Sequence, residues 1–144
     1  MERGQILLVD DNEYDVDLTL RALKRRHFAN EVQVARDGVE ALDYLYRRGP
    51  FAERAPGNPL LVLLDLKMPK VDGIEVLKVI KGDQTLKSIP VVVLTSSQDQ
   101  QDVVESYGLG VNAYVVKPVE FEKVMDAVQQ LGLFWLLHNQ PPAT

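Results

Sequence analysis

Short apolar runs recur along the chain: ILLV at 6–9, VQV at 32–34, LLVLL at 60–64, VVVL at 91–94 and AYVV at 113–116. Most are Val, Ile or Leu throughout and do not alternate with polar residues, which predicts parallel strands buried on both faces. Between the runs, apolar residues return at helical spacing, as at Val16, Leu20 and Leu23 or at Val76, Leu77 and Ile80. This spacing predicts helices over about 13–26, 38–48, 73–82, 99–108 and 120–131.

A strand followed by a helix, repeated along the chain, predicts an α/β domain with a doubly wound, five-stranded parallel sheet. The dipeptides Asp37-Gly38, Asp72-Gly73 and Lys117-Pro118 fall at junctions, where turn chemistry is needed. Residues 49–59, GPFAERAPGNP, form a connection longer than most helix-to-strand loops. With no internal repeat, low-complexity tract or linker, residues 1–144 read as a single domain with an apolar extension at about 132–140.

Composition narrows the chemistry. The chain has no cysteine, and its two histidines, His27 and His138, are too few and too scattered for a zinc cluster. That leaves a cytoplasmic protein with hard-metal chemistry as the expectation. The start, MERGQILLVDD, is too short in apolar residues for a signal-peptide core, and nowhere do about 18 apolar residues run together. Neither secretion nor a membrane span is expected. A net charge of −5 without a basic, aromatic-interleaved stripe argues against direct nucleic-acid binding.

In open α/β sheets, ligands collect at the carboxyl ends of the strands. Those positions are polar here: Asp10 and Asp11 after the first run, Asp65 after the third, Thr95, Ser96 and Ser97 after the fourth, and Lys117 after the fifth. A strand order of 2-1-3-4-5 brings all of them to one edge. Three carboxylates in one pocket repel one another unless a cation lies among them, and oxygen-only ligands suit Mg²⁺, Mn²⁺ or Ca²⁺. Mg²⁺ is favoured, because a small octahedral ion held by few carboxylates keeps positions for water and a phosphoryl oxygen. A carboxylate is able to attack phosphorus, but both partners are anions, so cations must bring them together. The metal and Lys117 would supply that charge, and the Thr95 hydroxyl would donate to a phosphoryl oxygen.

Four segments in order, ILLVDD at 6–11, LLDLKMPKVDG at 63–73, VVVLTSS at 91–97 and AYVVKP at 113–118, resemble the receiver domain of two-component response regulators. The likeness spans Gln5 to about Leu131 and implies a flavodoxin-like fold, for which the order 2-1-3-4-5 is a known example in receivers. It implies that Asp65 is the phosphoacceptor and that Asp11, Asp65 and the backbone carbonyl of Lys67 hold Mg²⁺, with Asp10 helping through water. By the same resemblance Thr95 is the switch hydroxyl, Tyr114 the aromatic that turns inward with it, and Lys117 the partner of the phosphoryl group. A cis bond at Lys117-Pro118 is also implied. The basic end of the first helix, Arg21, Lys24, Arg25 and Arg26, would dock a histidine-kinase bundle or simply complement the helix dipole.

Two departures stand out. Lys67 and Ser97 each follow a site residue by two, beside the path of the hydrolytic water in this family, and a cation at Lys67 is expected to lengthen the phosphorylated lifetime. At the other end, Leu133-Phe134-Trp135-Leu136-Leu137 runs five apolar residues together, more than one face of an amphipathic helix needs. Phe134, Trp135 and Leu136 are therefore expected at a homodimer interface. The long loop and this tail resemble the small response regulators that partner bacterial and cyanobacterial phytochromes. The reading is thus a phosphoacceptor switch, not an enzyme. It takes phosphate from a sensor histidine kinase, of phytochrome type in the narrower form, and with no output domain in the chain acts through a further protein.

Two rivals remain. One is a receiver-like scaffold that is never phosphorylated, against which the joint presence of Asp10, Asp11, Asp65, Thr95 and Lys117 argues. The other is a Mg²⁺-dependent aspartate-nucleophile phosphatase of the haloacid-dehalogenase type. Such enzymes place two aspartates two apart after the first strand, whereas here the pair is adjacent.

Overall fold

The computed structural model of the chain describes residues 5–25, 31–66, 68, 72–95, 108, 109, 111, 113–117 and 119–130. Strands β1 (Gln5–Val9), β2 (Glu31–Ala35), β3 (Leu61–Asp65), β4 (Val91–Thr95) and β5 (Ala113–Val116) are joined by helices α1 (Glu13–Arg25), α2 (Gly38–Tyr46) and α3 (Gly73–Gly82), and α4 (Phe121–Gln130) follows β5. All strand pairs are parallel and the order is β2-β1-β3-β4-β5, as the sequence predicts.

The alternation of side chains along a strand divides the core in two. Leu7 and Val9 of β1 pack with Tyr44 of α2 and Leu77 of α3 on one face of the sheet. Ile6 and Leu8 pack with Val16 of α1 and Val124 of α4 on the other. Leu7, Leu8, Leu63 and Leu64 are completely buried, and each contributes roughly 2 kcal/mol by leaving water. This double cover explains why the central runs carry no polar alternation.

Local signals fix where the helices begin. Asn12 Oδ1 accepts the Asp15 N–H at 3.0 Å, capping α1. Asp37 caps α2 by accepting from Glu40 N at 2.9 Å, and Asp72 caps α3 by accepting from Glu75 N at 3.0 Å. Helix α2 stops at Tyr46, earlier than the predicted 48, because Arg47 turns left-handed at φ 55° and donates its N–H to the Asp43 and Tyr44 carbonyls.

The long connection that follows is ordered. It opens with a 3-10 turn at Gly49–Phe51, and Arg54 ties it back to α2. The Arg54 guanidinium donates to Tyr44 O at 2.7 Å, Ala55 O at 2.8 Å and Gly57 O at 3.0 Å, and lies 4.2 Å over the Tyr44 ring. Asn58 Nδ2 fastens the far end by donating to Thr85 O at 2.6 Å.

Strands β3 and β4 each run one residue beyond the apolar run, since a polar side chain does not interrupt a backbone ladder. Asp65 and Thr95 are therefore the last strand residues, paired with Leu94 and Val116. Among the described residues, no helix is long and apolar enough to cross a membrane.

The helix predicted at 99–108, save its last residue, lies outside the described residues, as do Arg26, Lys67, Ser96, Ser97, Pro118, Phe134, Trp135 and Leu136. Thr95, Lys24 and Arg25 are described in their backbone only.

Candidate phosphoacceptor and cation site

Strand register assembles the site. Val9 pairs with Leu64, so the next residue on each strand, Asp10 and Asp65, stand side by side. Leu94 pairs with Asp65, which places Thr95 one step beyond it, and Val116 pairs with Thr95, which places Lys117 one step further. The carboxyl edge of the sheet thus gathers Asp10, Asp65, Thr95 and Lys117, and Asp11 follows Asp10 at the rim. Tyr114, across from Val93 on β5, is half-buried against the core on the α2–α3 side.

Asp10 is wholly buried and Asp65 nearly so, whereas Asp11 is exposed. Carboxylate oxygens of these three residues come within 4.8 Å of one another. Asp10 Oδ1 accepts the Asn12 N–H at 3.0 Å, while Oδ2 is buried without a hydrogen bond. That oxygen lies 2.8 Å from Lys117 Nζ, within ion-pair range but away from hydrogen-bond directions. A buried carboxylate oxygen of this kind, grouped among the described residues with two further carboxylates and with no histidine or cysteine, fits a hard divalent cation.

The Lys117 side chain is 6 % exposed, and its ammonium sits among carboxylates. It donates to Asp65 Oδ2 at 3.2 Å and to Asp15 Oδ2 at 3.0 Å. Burial alone lowers an ammonium's pKa. Here it is outweighed by the contact with Asp10, the charges of Asp65 and Asp10 and the bond to Asp15, which hold Lys117 above the ordinary lysine range. Lys117 is consequently a permanent cation at neutral pH.

Asp15 is the residue that sequence reasoning passed over. In the first turn of α1 an acid reads as a partner of the helix dipole. The available signal was its place three residues after the cap, on a helix that begins at the carboxyl edge.

The chain matches the family model of the response regulator receiver domain over residues 6–129. It belongs to that family. Receivers of this family are generally switches rather than true enzymes. Among curated relatives, the receiver is 44 % identical to the response regulator Rcp1 of Synechocystis, over 91 % of this chain and 88 % of the relative. It is also 44 % identical to the probable methanogenesis regulatory protein FilR2 of Methanothrix harundinacea, over 95 % of this chain and 86 % of that one.

The fold is likewise shared. A structure of the bacteriophytochrome response regulator AtBRR is 59 % identical, covers 94 % of this receiver and 96 % of its own chain, and gives a TM-score of 0.88. The phosphorylated cyanobacterial phytochrome response regulator RcpA is 42 % identical with a TM-score of 0.78, covering 99 % of this receiver and all of its own chain. The Mn²⁺-bound form of Rcp1 gives 0.76, covering 97 % and 99 % of the two chains. The receiver is thus similar over nearly its whole length to small phytochrome response regulators.

Proposed function

We propose that this receiver is a single-domain response regulator that takes a phosphoryl group onto Asp65 from the phosphohistidine of a sensor kinase, in a Mg²⁺-dependent reaction. The observation that carries the reading is the buried Lys117 ammonium, 3.2 Å from an Asp65 oxygen and beside two further strand-end carboxylates.

Asp65 is the attacking oxygen. Its bond to phosphorus forms as the phosphorus–nitrogen bond of the donor histidine breaks, and the electron pair returns to the imidazole ring. Lys117 offsets the charge of the phosphoryl oxygens as they approach. Asp10, Asp11, Asp65 and the backbone carbonyl of Lys67 would hold the cation. When bound, Mg²⁺ neutralises the repulsion between the two anions and fixes the phosphoryl oxygens. Thr95, at the end of β4, would donate its hydroxyl to the new phosphoryl group, and Tyr114 on β5 would follow its movement.

Both the Mn²⁺-bound form of Rcp1 and the phosphorylated form of RcpA support this assignment. Likeness to AtBRR, RcpA and Rcp1 favours a phytochrome-type kinase as the donor. In this reading the receiver is cytoplasmic and pairs with a second copy through Phe134, Trp135 and Leu136, and it passes the signal to a further protein without binding nucleic acid or membrane. Transfer from a ³²P-labelled histidine kinase tests it. Label should pass to wild type and not to Asp65→Asn, and chelation of divalent cations should stop it. Equal labelling of Asp65→Asn would remove the assignment.

A further inference from the structure

Lys117 is held by a carboxylate that phosphoryl transfer, as described, does not use. Asp15 Oδ2 accepts from Lys117 Nζ at 3.0 Å, closer than the 3.2 Å bond of the same ammonium to Asp65. An ammonium has three protons. One is directed to Asp65 and one to Asp15, while Asp10 contributes charge at 2.8 Å.

An acid in the first turn of a helix is stabilised by the dipole even when it points to water. Asp15 instead turns onto a buried cation, with its own side chain 25 % exposed. Its carboxylate is not part of the Asp10, Asp11 and Asp65 set that lies close enough to share a metal ion. Of the three carboxylates around Lys117, Asp15 alone lies outside that set.

We propose that Asp15 is a positioning residue for Lys117, anchoring its ammonium from α1 so that it stays aimed at the phosphoryl group while Asp65 is converted to its acyl phosphate. The inference rests on the phosphoacceptor reading of Asp65. As that carboxylate becomes an acyl phosphate, its own grip on Lys117 changes, and the four-carbon lysine stem would otherwise have many rotamers to explore. Asp15 gives it an acceptor unaltered by the reaction.

The test uses the full chain and acetyl phosphate at saturating Mg²⁺, comparing wild type with Asp15→Asn, Asp15→Ala and Asp15→Glu. The maximal phosphorylation rate should fall about tenfold in the Asn and Ala variants, as misalignment of a charge-stabilising group would produce, and Asp15→Glu should recover most of it. The half-saturating acetyl phosphate concentration should not rise, since Asp15 is an anion with no bond to the donor. The Mg²⁺ half-saturation should stay within about twofold. A rate in Asp15→Asn close to wild type overturns the inference, as does a loss that Asp15→Glu does not relieve or one that follows weakened Mg²⁺ binding. Failure of wild type itself to take up phosphate would instead remove the underlying assignment of Asp65.

Discussion

Gly73 opens α3 directly behind Asp65, the proposed phosphoacceptor, and its N–H donates to Leu66 O at 2.8 Å. A Cβ there would overlap the Asp65 carbonyl oxygen, lying 2.5 Å from Leu66 Cα and 2.9 Å from Asp65 C. These are backbone atoms of the strand end that carries Asp65, so no side chain is free to swing away. Clearing ordinary contact distance requires the strand end and the helix to part by about 1 Å. Overpacking of this kind costs about 3 kcal/mol, the upper part of the usual range, and should lower Tm by about 9 °C in a chain of this size. The same displacement falls on the Asp65 carboxylate, so if phosphate is taken up there as proposed, phosphorylation by acetyl phosphate should slow by about 100-fold.

Gly82, at the other end of the same helix, supplies the control. A Cβ there meets nothing within 4 Å, so Gly82→Ala should raise stability by about 0.5 kcal/mol through the lost freedom of the unfolded chain and leave the phosphorylation rate unchanged. Calorimetry and a phosphorylation time course on both variants decide the matter. A Gly73→Ala protein that melts and reacts like wild type would refute the reasoning. So would an equal loss in both variants.

Further expectations concern the loop and the charges. Arg54→Ala should cost about 2 kcal/mol, because it removes charged hydrogen bonds that cap α2, and should leave the phosphorylation rate intact; thermal melts beside a time course check both. Asp83 is held at about 2 mainly by the Tyr46 hydroxyl and Thr85, so its contribution to stability is present above the ordinary aspartate pKa and lost as pH falls through about 2. In Tyr46→Phe its carboxyl should titrate measurably higher by NMR, and an unchanged value would contradict the assignment. Lys117→Met, measured in chelator, should destabilise by about 3 kcal/mol by leaving Asp10 and Asp65 without their counter-charge. Because the Lys117 pKa is raised in the fold, the gap between wild type and Lys117→Met should stay flat from neutral pH to about 10.4 and narrow only above it. A gap that closes near neutrality would disprove that picture.

Much of this was legible in the sequence for physical reasons. Continuous apolar runs survive only where helices cover both faces of a sheet, so ILLV at 6–9 and LLVLL at 60–64 announced central strands. The polar residues that follow them lie at the carboxyl edge. What local patterns do not carry is long-range geometry. The bond from Asp15 to Lys117 spans 102 positions, and no helical period records which way a first-turn acid turns. Arg54 likewise orders its loop through carbonyls of Tyr44 and Leu45, acceptors every residue possesses. The left-handed Arg47 occupies a place where glycine would have signalled the end of α2.

The most direct test of the central claim is intact mass after incubation with acetyl phosphate and Mg²⁺, on wild type and Asp65→Asn in parallel. Wild type should gain one phosphoryl group, a gain prevented when divalent cations are chelated beforehand, and Asp65→Asn should gain none. An unmodified wild type beside a receiver that does react with the same donor would contradict it and leave the chain a receiver-like scaffold.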